Sequence, residues 1–342
     1  MIDFRYHLVS IIAVFLALAL GLVVGAAALQ PKETQALLAL SSHEKTTINS
    51  LEQKNGLLNR QNSADQSFAQ AASGLLLGNL LDGQRVVLVT APGADGTTIS
   101  GVTAAARQAG AKVTGQVSLE PQFFDTSGGT ESSLDALARQ LAPPGVAVGG
   151  DAANPEHGQQ AAASVIAAAL VTKDSPAVSA AVTQSSAILN GFGQQGFLQV
   201  SANGGAASPQ AATLAVVVIP ATPPGSESGP VNQGLVAVAQ ALQGASSGAV
   251  LAGSLAGSGP GSAIDAIASG NVSASLTTVD NADLETGQIV VAQALAELLA
   301  GSKPAQYGVA SNAAPSPAPR PSPSATAQGT PTAPARKTSP KK

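Results

Sequence analysis

An uncharged apolar run near the start of the chain constrains the fold more than any other feature. It covers residues 8–29, and Ser10 carries its only side-chain hydroxyl. A helix of this length, at about 1.5 Å per residue, spans the ~30 Å hydrocarbon core of a bilayer. The run is also longer than the roughly 7–15 apolar residues of a typical signal peptide. We therefore predict a retained transmembrane signal-anchor over residues 1–30, with cleavage at Ala26-Ala27-Ala28 as the alternative.

This anchor sets the expected location and the first partner of the chain, the lipid bilayer. A short flank before the run and a long body after it are typical of a signal-anchor. The arrangement predicts a single-pass cell-membrane protein whose body lies outside the cytoplasm. Gly21 and Gly25 form a GxxxG motif, which lets two membrane helices approach closely and favours a homodimer. Small residues are common in membrane helices for other reasons, so a helix without this contact is the alternative.

Residues 31–74 are polar and compatible with a helical stalk. Ile48, Leu51, Asn55 and Leu58 follow the a-d-a-d spacing of a coiled coil. Asparagine at an a position fixes the register of parallel dimers, so these residues extend the predicted homodimer. A glycine and an acidic residue interrupt the pattern, which covers about three heptads. A single amphipathic stalk helix packed on the body remains the alternative.

Composition excludes several kinds of site. Cysteine is absent and methionine occurs only as Met1. The chain therefore has no disulfide, no thiolate metal site and no cysteine nucleophile. The three histidines, His7, His43 and His157, show no spacing typical of a metal motif. From the residues alone we predict no cofactor and no defined metal site.

Charge is distributed unevenly along the chain. Residues 61–302 hold five basic and sixteen acidic side chains, a net charge of −11. Residues 303–342 hold six basic side chains and no acidic one, a net charge of +6. Because nucleic-acid binding needs a basic surface, the acidic body argues against nucleic acid as a partner.

The body, residues 75–302, alternates apolar strands with helices. Strands are predicted at 85–90, 112–119, 197–200, 214–219, 249–251 and 276–279, with helices between most of them. This alternation is typical of right-handed crossovers in a mainly parallel sheet. We predict an α/β fold, a Rossmann-like three-layer domain. From residue 303 to 342 the composition is rich in Pro, Ala and Ser, which predicts a disordered tail.

Loops at the carboxyl ends of parallel strands carry the candidate binding residues. The loop after the first strand contains Asp95, and later loops contain Glu227, Asp280 and Asp283. These loops meet at one edge of a parallel sheet, where such folds bind ligands. The four carboxylates form a candidate ligand rim for a hard cation or a polyol. Solvated loop carboxylates are the alternative, and Asp95 also has the position of a helix cap.

Catalytic motifs are weakly supported. Residues 244–248 match the G-x-S-x-G pattern around Ser246, but a nucleophile elbow needs a strand before the serine and a helix after it. Here a helix precedes and a strand follows. His157 is the one histidine of the body, so a hydrolytic triad has a single candidate base. We predict that the protein is not an enzyme.

Three segments resemble the actinobacterial copper transporter B family. They are the opening Met1-Ile2-Asp3-Phe4-Arg5-Tyr6-His7-Leu8-Val9-Ser10, the block Leu276-Thr277-Thr278-Val279-Asp280-Asn281-Ala282-Asp283, and Tyr307-Gly308-Val309. They occur in the family's order and span residues 1 to about 310. The resemblance implies a role in copper homeostasis or efflux, with copper as the metal handled, and outer-membrane placement as an alternative location. Related members look like envelope proteins linked to cell separation.

Two functions from different classes therefore follow. The resemblance implies copper homeostasis or transport by a membrane-anchored envelope protein. The chemistry of the residues favours a non-enzymatic envelope scaffold that recruits cell-wall or cell-separation proteins through its stalk and body. A third and weaker interpretation is an enzyme or solute receptor that uses the acidic rim.

Overall fold

The computed structural model describes residues 4–149, 157–173, 180–202, 211–220, 228–257, 262–269 and 275–317. Its contacts divide the chain into two compact units, Met1–Ser67 and Phe68–Lys342. The first unit is helical throughout its described residues. Within it, Tyr6–Ala27 is long and apolar enough to cross a membrane, with a mean hydropathy of 2.9. The predicted apolar membrane segment is thus confirmed as a helix.

The regular elements alternate as the sequence predicts. The helices are α1 Phe4–Leu77, α2 Gly96–Gln108, α3 Gly128–Leu141, α4 His157–Leu170, α5 Ala180–Gln194, α6 Ser228–Ala245, α7 Ala263–Ser269 and α8 Glu285–Leu299. The strands are β1 Arg85–Thr90, β2 Lys112–Leu119, β3 Leu198–Ala202, β4 Leu214–Val218, β5 Gly248–Ala252, β6 Thr277–Val279 and β7 Gln306–Tyr307. Short 3-10 helices lie at Pro121–Phe124 and Leu255–Gly257.

The strands form one sheet in the order β3-β2-β1-β4-β5-β6-β7. Every neighbouring pair is parallel except β2 and β3, which are antiparallel. The order reverses between β1 and β4, which is the topological switch point where such sheets leave a crevice. The mainly parallel α/β prediction is confirmed.

Two hydrophobic cores lie on opposite faces of the sheet, and together they make three layers. Successive residues of β1 alternate between them: Val87 and Val89 belong to one core, Val86 and Leu88 to the other. Helices α3 to α7 contribute to the first core. The end of α1, with α2 and α8, contributes to the second. Alanine and valine supply much of both cores, which lets helices pack closely on the sheet.

The sheet continues beyond residue 302, where the sequence predicts that the tail begins. Strand β7 pairs with β6, and Ala314 pairs in turn with Tyr307. The ordered chain therefore continues through the described residues 303–317, a segment we call the strap. Residues 318–342, the rest of the predicted disordered tail, lie outside the described residues.

Candidate functional site at the carboxyl edge of the sheet

Three of the four predicted rim carboxylates meet at the carboxyl edge of the sheet. Asp95 follows β1, whereas Asp280 and Asp283 follow β6. The charges of Asp280 and Asp95 both act on the pKa of Asp283, so the three lie within electrostatic reach of one another. Glu227, the fourth, lies outside the described residues.

Asp95 is the N-cap of α2. One of its carboxylate oxygens accepts hydrogen bonds from the Thr98 backbone N–H at 2.8 Å and the Thr98 hydroxyl at 3.1 Å. The Thr97 hydroxyl donates to the same oxygen. These bonds, the Thr97 hydroxyl first, lower the pKa of Asp95. Asp95 is exposed and remains ionised, but its strongest contacts are local and structural.

Asp280 has a different role, because it is only 2% exposed and binds a distant part of the chain. Its Oδ1 accepts a hydrogen bond from the Val309 N–H at 2.8 Å, and its Oδ2 accepts one from the Ala310 N–H at 2.9 Å. The Asp280 backbone N–H donates to the Tyr307 carbonyl at 3.1 Å. Successive backbone N–H groups of this kind form an anion-binding nest. The strap is therefore held by the carboxylate of Asp280.

Glycine at position 308 makes this contact possible. Its φ is +135°, in the region that favours glycine. A Cβ built there would lie 1.9 Å from Asp280 Oδ1, which no side chain can tolerate. The block that contains Asp280 and the segment Tyr307-Gly308-Val309, which are far apart in sequence, thus form one unit of structure.

Asp283, the third described rim carboxylate, faces solvent. Its side chain is exposed, yet protein surrounds part of it. This partial loss of solvent raises the pKa of Asp283, and the charges on Asp280 and Asp95 act in the same direction. Asp95 and Asp283 therefore make a pair of solvent-facing carboxylates of unequal pKa.

The metal-binding capacity of this edge is small. Among the described residues, no group of three or more His, Asp or Glu side chains could hold a metal ion. Both oxygens of Asp280 are occupied by the strap. Asn281 Oδ1 is buried without a hydrogen-bond partner among the described residues, but it points toward Gly287 at the start of α8. A hard cation would therefore find two acidic ligands here, fewer than a dedicated site supplies.

A cleft opens beside the ends of β4 and β5. Its lining includes Ile219, Pro220, Leu235 and Ser262. Its free volume is about 10 Å³, close to the space that one water molecule needs. The cleft is too small for a polyol or a nucleotide.

A second polar cluster, which the sequence does not predict, lies where α3 and α4 begin. His157 Nδ1 is 2.9 Å from Glu131 Oε1, and the Gly158 backbone N–H donates to the same oxygen. Nearby along α4, Gln159 is fully buried, and neither its amide nitrogen nor its amide oxygen has a partner among the described residues. No sequence spacing links Glu131 to His157, so only the packing of α3 on α4 could reveal the pair.

The serine of the G-x-S-x-G pattern lies in the reversed context that the sequence predicts. Ser246 follows α6 and precedes β5. It is 2% exposed, and its hydroxyl accepts a hydrogen bond from the Gly248 N–H at 3.2 Å. A buried serine between a helix and the following strand is not a nucleophile elbow.

Comparison with known proteins gives one consistent result. A sequence profile described as "Copper transport outer membrane protein, MctB" matches residues 1–317. A protein of Mycobacterium leprae named "Copper transporter MctB" is 31% identical over 319 residues, which cover 92% of this chain and 98% of that protein. Its namesake in Mycobacterium tuberculosis is 27% identical over 314 residues, with the same coverage. The match runs from the apolar helix through the sheet to the strap, and the chain therefore belongs to the MctB family.

Proposed function

We propose that this protein is a membrane-anchored envelope protein that acts in copper homeostasis. The observation that carries the proposal is the match of the MctB family over residues 1–317, with relatives named copper transporters. The helix Tyr6–Ala27 supplies the anchor. The proposal places the body that follows this helix outside the cytoplasm. Outer-membrane placement, which the family description names, is the alternative location.

The residue types of this chain restrict how it could bind copper. Cu(I) prefers thiolate and thioether ligands and Cu(II) prefers imidazole. The chain has no cysteine, and its only methionine is Met1. His157 is already paired with Glu131. The proposal is therefore that the protein lowers cellular copper as part of an envelope assembly, rather than storing copper at a centre of its own.

A deletion strain complemented with the full chain tests this function. We expect the deletion to reduce growth in added copper and to raise the copper content of the cells, measured by mass spectrometry. Added zinc serves as the matched control, because a specific copper role leaves zinc tolerance unchanged. Normal copper tolerance together with normal copper content in the deletion strain would contradict the proposal.

A second candidate is a scaffold that recruits cell-wall or cell-separation proteins. One observation favours it: the carboxyl edge of the sheet uses Asp95 and Asp280 for internal contacts, and its cleft has room for only about one water molecule. We further propose that the protein is not an enzyme, which the buried position of Ser246 supports. The scaffold predicts that capture of wall hydrolases by the full chain is lost when residues 33–70 are removed. Undiminished capture by that deletion variant would argue against it.

A further inference from the structure

The part of α1 between the apolar segment and the body exposes large apolar side chains. Ile48 is 53% exposed, Leu51 is 54% exposed and Leu58 is 61% exposed. Asn55 is exposed on the same side, one turn from each leucine. The helix continues through Gly56, although the heptad pattern predicts an interruption there.

A helix of this sequence needs a partner to persist in water. Residues 46–63 include threonine, serine, asparagine and glycine at half of their positions, and these residues are weak helix formers. The Ser63 hydroxyl bonds to the carbonyl of Asn59 and the Ser67 hydroxyl to that of Ser63, a pattern that slightly destabilises helices. Most helical stability comes instead from packing an apolar face. The exposed apolar stripe is therefore the part of the helix that a partner must cover.

We propose that the partner is a second copy of this chain, in a parallel coiled coil through Ile48, Leu51, Asn55 and Leu58. Asn55 favours a second copy of this chain as the partner. An asparagine at an a position can form hydrogen bonds with the same asparagine of a parallel partner in register. The anchor selects the direction, because two copies held in one bilayer present their stalks side by side and parallel. This step rests on the membrane anchoring proposed above. The flanking g and e positions, Thr47 and Glu52, bring no like charges together.

The geometry of α1 excludes the anchor glycines from the same seam. The 27 residues from Gly21 to Ile48 make about 7.5 turns of continuous helix, so the two residues face opposite sides. In heptad terms Gly21 and Gly25 fall at positions b and f when Ile48 is at a. One uninterrupted dimer interface therefore cannot bury both the two glycines and the apolar stripe of the stalk. The stalk stripe is the seam, because its side chains are large and apolar whereas the glycines expose little apolar area.

Single-cysteine cross-linking tests this seam directly, because the native chain has no cysteine. The full chain is placed in membranes with Leu51→Cys, with Gln53→Cys as the matched control at position f of the same turn, or with Gly21→Cys. Diamide supplies the oxidant, so no copper is added. We expect a disulfide-linked dimer at Leu51→Cys about tenfold more abundant than at Gln53→Cys or Gly21→Cys. Equal yields at the three positions, or a dimer only at Gly21→Cys, would overturn the proposal.

A second measurement does not depend on cross-linking. The paired change Leu51→Asp with Leu58→Asp should convert the detergent-solubilised dimer to monomer by light scattering. The matched change Gln53→Asp with Arg60→Asp should leave it dimeric. Body folding, followed by the circular dichroism of the sheet domain, should be the same in both. A dimer that survives the two leucine substitutions contradicts the proposal, whatever the result of the copper experiment.

Discussion

Asp95 and Asp280 are both carboxylates and both follow a strand of the sheet, yet they have different structural roles. Each follows a parallel strand at the carboxyl edge of the sheet, and each accepts backbone N–H groups. Asp95 is exposed and caps the helix that begins with the next residue. Asp280 is buried and holds Val309 and Ala310, about thirty residues later in the chain. One carboxylate stabilises a local turn, and the other joins two segments of the fold.

The difference teaches that a carboxylate at a strand end is not by itself a binding residue. A local cap costs little to lose, because water can replace its hydrogen bonds. Water replaces a buried carboxylate less easily, so the loss of Asp280 removes the acceptor of two N–H groups in the partly buried strap. The following predictions test this contrast by unfolding the detergent-solubilised full chain, in order of decreasing effect.

Gly308→Ala should have the largest effect. The added Cβ would collide with Asp280 Oδ1 at a backbone angle that disfavours alanine. We expect a loss of roughly 3 kcal/mol or more in the free energy of unfolding. Gly301→Ala is the matched control, because Gly301 also has a positive φ but has open space around its Cβ position. Equal losses in the two variants would show that backbone strain, and not the Asp280 contact, sets the cost.

Asp280→Asn should have the second-largest effect, a loss of roughly 2–3 kcal/mol in the free energy of unfolding. Asparagine keeps one acceptor but leaves either the Val309 or the Ala310 N–H without a partner. Hydrogen exchange at these two amides should accelerate more than exchange in β1. If Asp95→Asn destabilises the chain as much as Asp280→Asn, the contrast between the two carboxylates fails.

Gln159→Met should stabilise the protein, because Gln159, unlike Asp280, is a buried polar group without partners among the described residues. Methionine keeps the approximate shape and removes the cost of burying an unpaired amide. We expect a gain of about 1–2 kcal/mol in the free energy of unfolding. Gln160→Met, at the neighbouring and less buried position, should change stability little. A clear loss of stability in Gln159→Met would mean that the amide has a partner in solution.

Asp95→Ala should destabilise the protein in a pH-dependent way. The pKa of Asp95 is lowered in the folded protein, so its contribution is present above the ordinary aspartate pKa of about 4 and is lost as pH falls through the folded value. The wild type and the variant should therefore differ at neutral pH and converge in acid. A constant difference across pH would show that the charge is irrelevant to the cap.

Asp283→Asn should change the free energy of unfolding least. It should stabilise the protein at neutral pH, whereas Asp95→Ala destabilises it. Because the pKa of Asp283 is raised, its ionised form opposes folding at neutral pH, and this cost vanishes as pH falls and the carboxyl is protonated. The variant should gain less than about 1 kcal/mol at neutral pH, since the group is exposed and screened. At acid pH the two proteins should be equally stable. A loss of stability at neutral pH would reveal an attractive contact of Asp283.

Much of the fold followed from local pattern. The predicted strands at 85–90 and 112–119 agree with β1 and β2, because β1 is an apolar run and β2 has Val113, Val117 and Leu119 at alternating positions. The helix cap at Asp95 could also be predicted from the sequence, because its partners Thr97 and Thr98 are only two and three residues away. Strand β7 was not, because a two-residue strand in a polar segment carries no periodicity. The Glu131–His157 pair depends on how two helices pack, and no spacing along the chain encodes it.

By itself, the sequence determined that this protein has an apolar segment long enough to cross a bilayer, an acidic α/β body, and no soft ligands beyond Met1. These properties depend on which residues are present and on their order over short distances. Only the tertiary structure decided that Asp280 is committed to the strap and that Asp283 remains open to solvent. Those outcomes depend on distances between residues far apart in the chain, which backbone packing sets and local pattern does not.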